Sequence, residues 1–393
     1  MQSLPVYIFY GLIFILVYTY LGYGVLLWMI TRLKPGRKPP ENRGAYPLTL
    51  VVPAYNEADI LEDKVKNCLS LDYPPGLVNF IFITDGSEDH PETVLLAYPE
   101  IQHLHQNERR GKAAAMNRAM KFVKTPFVVF SDANTFLNND ALIQLMKHFH
   151  DPSVGGVSGE KRIIKSIGEG AEQNEGIYWK YESVLKKLDA KLYSVTGAAG
   201  ELFAMRTALY EDIEEDTVIE DFVLSLRICE KRYRIEYEPN ATAMETASFS
   251  LQDEYKRKVR IAAGGFQAMG RLKKIWNPFF HPVLFFQFIS HRILRWAVCP
   301  FLLPVIFILN LILMLINGST FITILFFLQV LFYILAGIGL MLSGTSKQVK
   351  IFSIPFYFLF MNYCILKGFF SFILGKHSPL WEKSKRKSTF LKS

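Results

Sequence analysis

Three oxygen-bearing side chains follow short apolar runs, and two of them have the spacing of metal ligands. Asp85 follows the run at 80–83, and Asp132 and Asn134 follow the run at 127–130. Alternate residues after a strand can direct two oxygens at one divalent cation, and Mg²⁺ or Mn²⁺ takes such oxygens while it bridges substrate phosphates. We therefore predict a metal site at Asp132 and Asn134, with the charged Asp132 as the stronger ligand. An Asx turn without a ligand is the alternative interpretation.

The elements that carry these side chains alternate between strand and helix patterns. Short apolar runs at 48–52, 80–83 and 127–130 indicate strands, and the periodicity of 57–70 and 111–123 indicates helices. Strands of this length that alternate with helices predict a parallel α/β sheet. Ligands of such sheets bind at the carboxyl ends of the strands. We therefore expect the polar clusters at these strand ends to meet in one crevice of a domain at 45–270.

Charge-free runs flank this domain and are long enough to cross a bilayer. Residues 4–31 carry no charge, and a span needs about 20 apolar residues. Residues 296–346 are also free of charge, which allows two spans, at about 296–316 and 320–342. We therefore predict an N-terminal transmembrane helix at 1–31.

The C-terminal transmembrane region is predicted at 296–375, with two or three spans. Its last apolar run, 351–375, is interrupted by Lys367. This run either crosses the bilayer, which leaves the basic tail outside, or lies in the interface, which keeps the tail inside; we favour a crossing. The amphipathic segment 271–295 is predicted to be an interfacial helix between the soluble domain and the bilayer.

Basic residues are concentrated beside the apolar runs. Residues 344–393 hold nine Lys or Arg and one acid, which equals the net charge of +8 of the whole chain. The juxtamembrane linker 32–44 and the tail 376–393 are both basic, and such segments favour the cytoplasmic side and anionic lipid. We therefore predict an integral protein of the cell or inner membrane with a cytoplasmic catalytic domain. A nucleic-acid partner is not expected, because residues 45–294 have a net charge of −5 and the sequence gives little support for a basic patch there.

Four segments in this order carry a resemblance to a known family. They are Val51-Val52-Pro53-Ala54-Tyr55-Asn56-Glu57, Asp85-Gly86-Ser87, Ser131-Asp132-Ala133-Asn134 and Ile219-Glu220-Asp221. Together they resemble glycosyltransferase family 2, which includes the cellulose, hyaluronan and poly-N-acetylglucosamine synthases. The resemblance implies a Rossmann-like α/β catalytic domain of the GT-A fold, with α-helical transmembrane segments. It also implies inverting transfer of a sugar from a nucleotide-diphosphate sugar, with a UDP-sugar expected, to a lipid-linked or polysaccharide hydroxyl.

The resemblance also assigns roles to single residues. Asp221 matches the general base, and the acids around it should raise its pKa. Glu201, in a loop of small residues, is a candidate acceptor contact. Trp179 and Tyr181 either line the acceptor side or pack in the core. The residues expected to bind the nucleotide sugar are Ala54, Tyr55, Glu57, Asp85, Lys112, Asp132, Arg257 and Arg260.

Two of these nucleotide contacts have alternative interpretations. Lys112 opens a helix, and a helix N-terminus attracts anions, but a solvated lysine also fits this position. Arg257 and Arg260 suit a departing diphosphate because guanidinium groups donate in a bidentate fork, but a basic helix facing lipid phosphates fits them too.

Departures from the family pattern leave two rival functions open. Processive members carry Gln-x-x-Arg-Trp where this sequence has Arg257, Arg260 and Ile261. The missing Trp removes a stacking face for an acceptor sugar and argues against a processive synthase coupled to translocation. Asn134 and Arg257 leave open a catalytically idle membrane scaffold.

Overall fold

A mixed sheet forms the centre of the chain. The structure, a computed structural model, describes residues 3–34, 44–164, 171–246, 250–343 and 349–380, so that most of the predicted basic linker and the tail from 381 lie outside it. Within these residues, eight strands lie in the order β3-β2-β1-β4-β7-β6-β8-β5. The strands are β1 Leu48–Ala54, β2 Val78–Asp85, β3 Ile101–Gln106, β4 Phe127–Ser131, β5 Phe136–Leu137, β6 Val154–Ile164, β7 Leu202–Arg206 and β8 Arg234–Thr246.

The parallel half of the sheet brings the predicted strand ends together. β3, β2, β1 and β4 are neighbours and run parallel, whereas β7 continues the sheet antiparallel to β4. β1 is buried along its whole length, as expected of a strand covered on both faces. It continues through Pro53, where the sequence predicted its end. Pairing with β4 stops at Val51, so the missing N–H of Pro53 leaves no bond to β4 unmade.

Helices cover the sheet and extend beyond it. They are α1 Ser3–Val17, α2 Tyr23–Leu33, α3 Ala58–Leu69, α4 Glu92–Leu95, α5 Lys112–Met120, α6 Ala141–Met146, α7 Ala171–Leu192, α8 Glu220–Glu230, α9 Leu251–Arg271, α10 Pro282–Phe288, α11 Cys299–Asn317, α12 Thr320–Leu342 and α13 Lys350–Ile373. A π-helical turn, Tyr18–Gly22, joins α1 to α2, and a longer π-helical stretch, Ile289–Val298, joins α10 to α11.

Four helical segments of the described chain are long and apolar enough to cross a membrane. They are Leu4–Leu33, Pro282–Ile316, Thr320–Leu342 and Lys350–Ile373. Many of their large apolar side chains, such as Phe14, Leu315 and Phe327, are exposed in the isolated chain. Such a band of apolar surface is typical of helices that face lipid.

Helix α13 packs along α9 in parallel. Near its start, Tyr357 donates a hydrogen bond of 2.6 Å to Glu254, close to the start of α9. Further along, Gly368 lies so close to Ala262 that a Cβ atom would not fit between them. α13 is therefore held against the sheet domain as well as against the other apolar helices.

Both ends of α13 lie on the side of the sheet domain. α11 and α12 are joined by a tight turn at Gly318, so α12 returns toward the domain, and its Gly339 abuts Phe352 at the start of α13. Beyond the end of α13, Leu380 lies beside Gly111 of the sheet domain. Because Lys350–Ile373 is also long and apolar enough to cross, the crossing that we favoured from the sequence stays a prediction.

Candidate active site

A cavity of about 950 Å³ opens at the carboxyl ends of the parallel strands and reaches the apolar helices. It has two walls of different origin. The strand-end wall consists of Glu57, Arg109, Lys112, Asp132 and Asn134. The membrane-side wall consists of Tyr20, Trp179, Lys186, Arg292 and Arg295. Asp221, Glu201, Arg257 and Arg260 also line the cavity.

Lys112 connects two acids of the strand-end region. Gly111 has a φ of 99°, which lets the chain turn sharply into α5 and aims Lys112 at the cavity. The ammonium group of Lys112 lies 2.7 Å from Asp132 and 2.6 Å from Glu220. Burial opposes the charge of Lys112, but the two carboxylates raise its pKa well above the usual value. Burial raises the pKa of Asp132, against the charge of Lys112.

Asn134 supplies the observation that bears on a metal ion. Its side-chain oxygen is buried and has no hydrogen-bond partner among the described residues. An unpaired buried amide oxygen beside the Asp132 carboxylate fits a hard cation. No group of three or more His, Cys, Asp or Glu among the described residues could hold a metal ion. Asp132 and Asn134 would therefore need substrate phosphates or water to complete the coordination of Mg²⁺ or Mn²⁺.

Asp85 does not line the cavity. Its side chain is completely buried, and its Oδ2 accepts hydrogen bonds from the backbone N–H groups of Arg110 at 3.0 Å and Gly111 at 2.7 Å. Burial raises the pKa of Asp85, against these hydrogen bonds. The structure shows a residue that holds the turn before Lys112, and a direct contact of Asp85 with a nucleotide stays a prediction.

The three predicted nucleotide contacts at the end of β1 also differ in whether they line the cavity. Glu57 lines the cavity, whereas Ala54 is buried and Tyr55 lies behind Arg109. The guanidinium carbon of Arg109 sits 3.8 Å from the centroid of the Tyr55 ring, a close cation–π contact. Arg109 was not among the predicted nucleotide contacts, although it lies only three residues before Lys112, which was.

Asp221 lies in the first turn of α8 and faces the cavity beside Gly200. Burial and, next in size, the charge of the neighbouring Glu220 raise the pKa of Asp221 to about 7, against the charge of Lys112. A carboxylate with this pKa can accept a proton near neutral pH. The neighbouring acids thus raise the pKa of Asp221, as predicted, but burial raises it more.

Arg257 and Arg260 project from α9 into the cavity rather than toward lipid. Burial lowers the pKa of Arg260, while the charges of Glu220, Asp132 and Asp221 raise it. Because these acids surround Arg260, the arginine lies close to both the predicted metal ligand and the predicted base.

Glu201 belongs to a buried ion group on the far side of the cavity. Lys161 bridges Glu201, at 2.5 Å, and Glu245. Burial alone would raise the pKa of Glu201, but the charge of Lys161 lowers it below the usual value. Trp179 and Tyr181 both line the cavity, which favours the acceptor-side interpretation over core packing.

The membrane-side wall rests on ion pairs that the sequence did not reveal. Arg292 and Arg295 each donate to Glu182 at 2.9 Å, and Arg292 also donates to the carbonyl oxygen of Thr196 at 2.7 Å. The two arginines lie in the π-helical stretch Ile289–Val298, within the segment predicted as an interfacial helix. Burial would raise the pKa of Glu182, but the charge of Arg292 lowers it well below the usual value.

The start of the predicted basic tail closes part of the cavity. Residues 376–380 line it together with the end of α13. A Cβ atom on Gly111 would lie 3.7 Å from both Leu380 and the carbonyl oxygen of Pro379. The segment after α13 therefore lies against the turn that carries Lys112.

Known proteins are similar to this chain in sequence. Residues 49–214 match the family model described as glycosyl transferase family 2. A poly-β-1,6-N-acetyl-D-glucosamine synthase of Staphylococcus aureus is 28% identical over 231 residues, which cover 57% of this chain and 56% of the relative. A protein of the same name from Staphylococcus epidermidis is 24% identical over 237 residues, 58% of this chain and 57% of the relative. The chain thus spans little more than half of these relatives.

One solved structure matches nearly the whole chain. It is the mannosyltransferase PcManGT from Pyrobaculum calidifontis in complex with GDP-Man and Mn²⁺, with a TM-score of 0.71 and 21% identity. The match covers 94% of this chain and 100% of that one. At this identity the likeness shows the fold, and it confirms the predicted GT-A catalytic domain with apolar helices.

Proposed function

The chain carries a glycosyltransferase family 2 domain, and we propose that it transfers a sugar from a nucleotide-diphosphate sugar to a hydroxyl group of a lipid-linked or polysaccharide acceptor. We expect a UDP-sugar as donor and inversion at the anomeric carbon. The observation that carries the proposal is the shared cavity, in which Lys112, Asp132 and Asp221 meet beside apolar helices.

The strand-end wall binds the donor in this proposal. Lys112, Arg257 and Arg260 supply positive charge for the diphosphate, and Arg109 stacked on Tyr55 offers a planar surface at the same wall. Asp132 and Asn134 would hold a divalent cation, which when bound neutralises charge on the diphosphate. The matched mannosyltransferase holds GDP-Man and Mn²⁺, which supports a nucleotide sugar and a divalent ion here.

Asp221 performs the proton transfer. The acceptor oxygen forms a bond to the anomeric carbon while the bond from that carbon to the diphosphate oxygen breaks, and Asp221 takes the acceptor proton. The diphosphate leaves with the electron pair, toward Arg257 and Arg260. A pKa of about 7 leaves much of Asp221 ionised at neutral pH and yet basic enough to accept the proton.

The charged ends of the apolar helices support a cytoplasmic catalytic domain. Lys34 follows α2 and donates to the carbonyl oxygen of Leu192 in the sheet domain, and Lys376 lies at the cavity. Basic flanks of the N-terminal and C-terminal helices are thus on the side of the catalytic domain. Basic residues next to membrane spans favour the cytoplasm.

A hydrolysis screen tests the proposal. The purified full chain is incubated with Mn²⁺ or Mg²⁺ and a panel of UDP- and GDP-sugars, and the released nucleotide diphosphate is measured. We expect release from at least one donor, and transfer when an acceptor lipid extract is added. If no nucleotide sugar is hydrolysed or transferred, the proposal fails.

A processive polysaccharide synthase is a second candidate, favoured by the names of the staphylococcal relatives. The sequence argued against it because Ile261 replaces a tryptophan, but Trp179 and Trp296 line the cavity and offer aromatic faces. Product length decides between the two: one added sugar indicates single transfer, and a ladder of products indicates a processive synthase.

A further inference from the structure

Three buried lysines surround one tryptophan in the cavity. The ammonium groups of Lys161, Lys186 and Lys258 lie 4.9, 5.8 and 5.6 Å from the centroid of the Trp179 ring. Their exposed fractions are only 3%, 6% and 7%. So many buried cations at one ring need compensation, because a buried charge is costly unless it is paired. We call Lys161, Lys186 and Lys258 the lysine cluster.

The members of the lysine cluster differ in how they are compensated. Lys161 bridges Glu201 and Glu245. Lys186 lines the cavity, and among the described residues no hydrogen bond or ion pair to its ammonium group is found. Lys186 is therefore the member whose charge is open to a ligand.

Nearby acids are largely engaged elsewhere. Glu182 is held by Arg292 and Arg295, and Glu201 by Lys161. The remaining acid, Glu160, accepts hydrogen bonds from Ser183 at 2.7 and 2.9 Å and from Tyr237. Burial lowers the pKa of Lys186, against the charges of Glu182, Glu201 and Glu160. The local acids thus leave Lys186 short of a direct counter-ion.

We propose that Lys186, beside the Trp179 ring, forms an anion subsite that binds a phosphate or carboxylate group carried by the acceptor. The inference rests on the proposed function, since it assumes that the acceptor enters this cavity. It places the anionic group at the membrane-side wall, away from Lys112, Arg257 and Arg260, which serve the diphosphate of the donor. The ammonium group donates hydrogen bonds to the anion, and the tryptophan excludes water from the pair.

The position of the subsite fits the acceptor rather than the donor. Lys186 is electrostatically linked to Glu201, which in turn is linked to Asp221. Tyr20 and Asn362 of the apolar helices line the same side of the cavity and hydrogen-bond to each other at 2.9 Å. Lys186 therefore lies near the acids around Asp221, in a cavity that also reaches the apolar helices.

Calorimetry on the full chain in detergent tests the proposal. The chain is first saturated with UDP and Mn²⁺, so that the donor site is filled. It is then titrated with glucose 6-phosphate, glucuronate and neutral glucose, and separately with dodecyl phosphate as a lipid-borne anion. We expect at least one anionic probe to bind tenfold or more tightly than glucose. Preference for the sugar anions places the charge on a glycan, and preference for dodecyl phosphate places it on a lipid carrier.

Variants in α7 test whether Lys186 causes the preference for the anionic probe. Lys186→Met should abolish the preference for the anion, and Lys186→Arg should retain it. Lys187→Met, at the exposed neighbouring position of α7, is the matched control and should bind as the wild type does. Thermal unfolding of each variant establishes that it is folded, and Lys186→Gln, which also lacks the charge, replaces Lys186→Met if that variant does not fold.

Two outcomes overturn the proposal. One is equal binding of all probes by the wild type, and the other is an anion preference that survives in Lys186→Met. Failure of UDP to bind counts against the proposed function instead, and the same titration without UDP still reports on Lys186.

Discussion

The two walls of the cavity hold their charges in different ways. In the strand-end wall, the Lys112–Asp132 pair is partly open to solvent, with side-chain exposures of 19% and 30%. In the membrane-side wall, the Arg295–Glu182 pair is nearly dry, with exposures of 5% and 3%. Both pairs have short distances, so burial rather than distance separates them.

This difference suggests different tasks for the walls. Charged side chains that are partly solvated can exchange one partner for another. The side chains of the strand-end wall must do so when a diphosphate and a cation bind. Charges that are fully buried are fixed, because breaking a buried pair leaves an uncompensated charge at a cost of about 3–5 kcal/mol. We infer that the strand-end wall serves chemistry and that the membrane-side wall maintains the shape of the acceptor side.

The largest effect is expected at Asp221, which lines the cavity but belongs to neither wall. Asp221→Asn keeps the shape of the side chain but removes the base, and we expect kcat to fall about 10³-fold, as is typical for loss of a general base. Transfer from the active donor is the measurement. Asp212→Asn, an exposed acid of the same segment, is the control and should be active. Full transfer activity of Asp221→Asn would exclude Asp221 as the general base.

The next effect concerns stability and compares the buried pairs of the membrane-side wall with an exposed pair on the protein surface. Glu182→Gln leaves Arg292 and Arg295 without a counter-charge, so we expect the free energy of unfolding to fall by about 3 kcal/mol. Glu62→Gln breaks the exposed pair with Lys66 and should leave the free energy of unfolding almost unchanged, because solvent screens that pair. Unfolding in detergent, followed by tryptophan fluorescence, measures both. Equal losses would show that the buried pairs of Glu182 are not more important for stability than an exposed pair.

The pH dependence of transfer sharpens the assignment of the base. Asp221 accepts a proton only when it is ionised, so kcat/KM should rise with pH and level off above its pKa of about 7. Below that pH we expect a decline of about tenfold per pH unit. In Glu220→Gln the decline should shift to lower pH, because one neighbouring negative charge is gone. A profile that declines only near pH 4 would exclude Asp221 as the base.

The smallest effect tests a contact that the sequence did not indicate. Arg109→Ala removes the planar guanidinium group that covers the Tyr55 ring in the strand-end wall, and we expect UDP to bind about fivefold more weakly, a loss of about 1 kcal/mol. Calorimetry with UDP measures this, and Lys121→Ala, an exposed lysine at the end of α5, serves as the control. If both variants bind UDP as the wild type does, Arg109 does not belong to the donor wall.

The strand-end wall was largely predictable from the sequence. Parallel strands end at one edge of a sheet, so Asp132 and Asn134 had to lie near one another once β4 was recognised. The same logic did not show that Asp85 would turn away from the cavity. Its carboxylate is drawn to the backbone N–H groups of Arg110 and Gly111, and a hydrogen bond to a turn leaves no trace in residue spacing.

The membrane-side wall was not predictable from the sequence in the same way. Arg292 and Arg295 stand beside an apolar run and look like residues that snorkel to lipid headgroups. Their partner Glu182 is more than a hundred positions away, in α7. The packing of α13 against α9 was not predictable either. Its apolar residues are equally compatible with contact with lipid and with contact with α9, and only the tertiary structure shows the contact with α9.

A structure of the full chain with UDP and Mn²⁺ tests most directly whether both walls serve one reaction. We expect anomalous scattering to place Mn²⁺ at Asp132 and Asn134, with the diphosphate toward Arg257 and Arg260 and open space left between it and Asp221. Nucleotide bound outside this cavity, or a cation that touches neither Asp132 nor Asn134, would contradict the account.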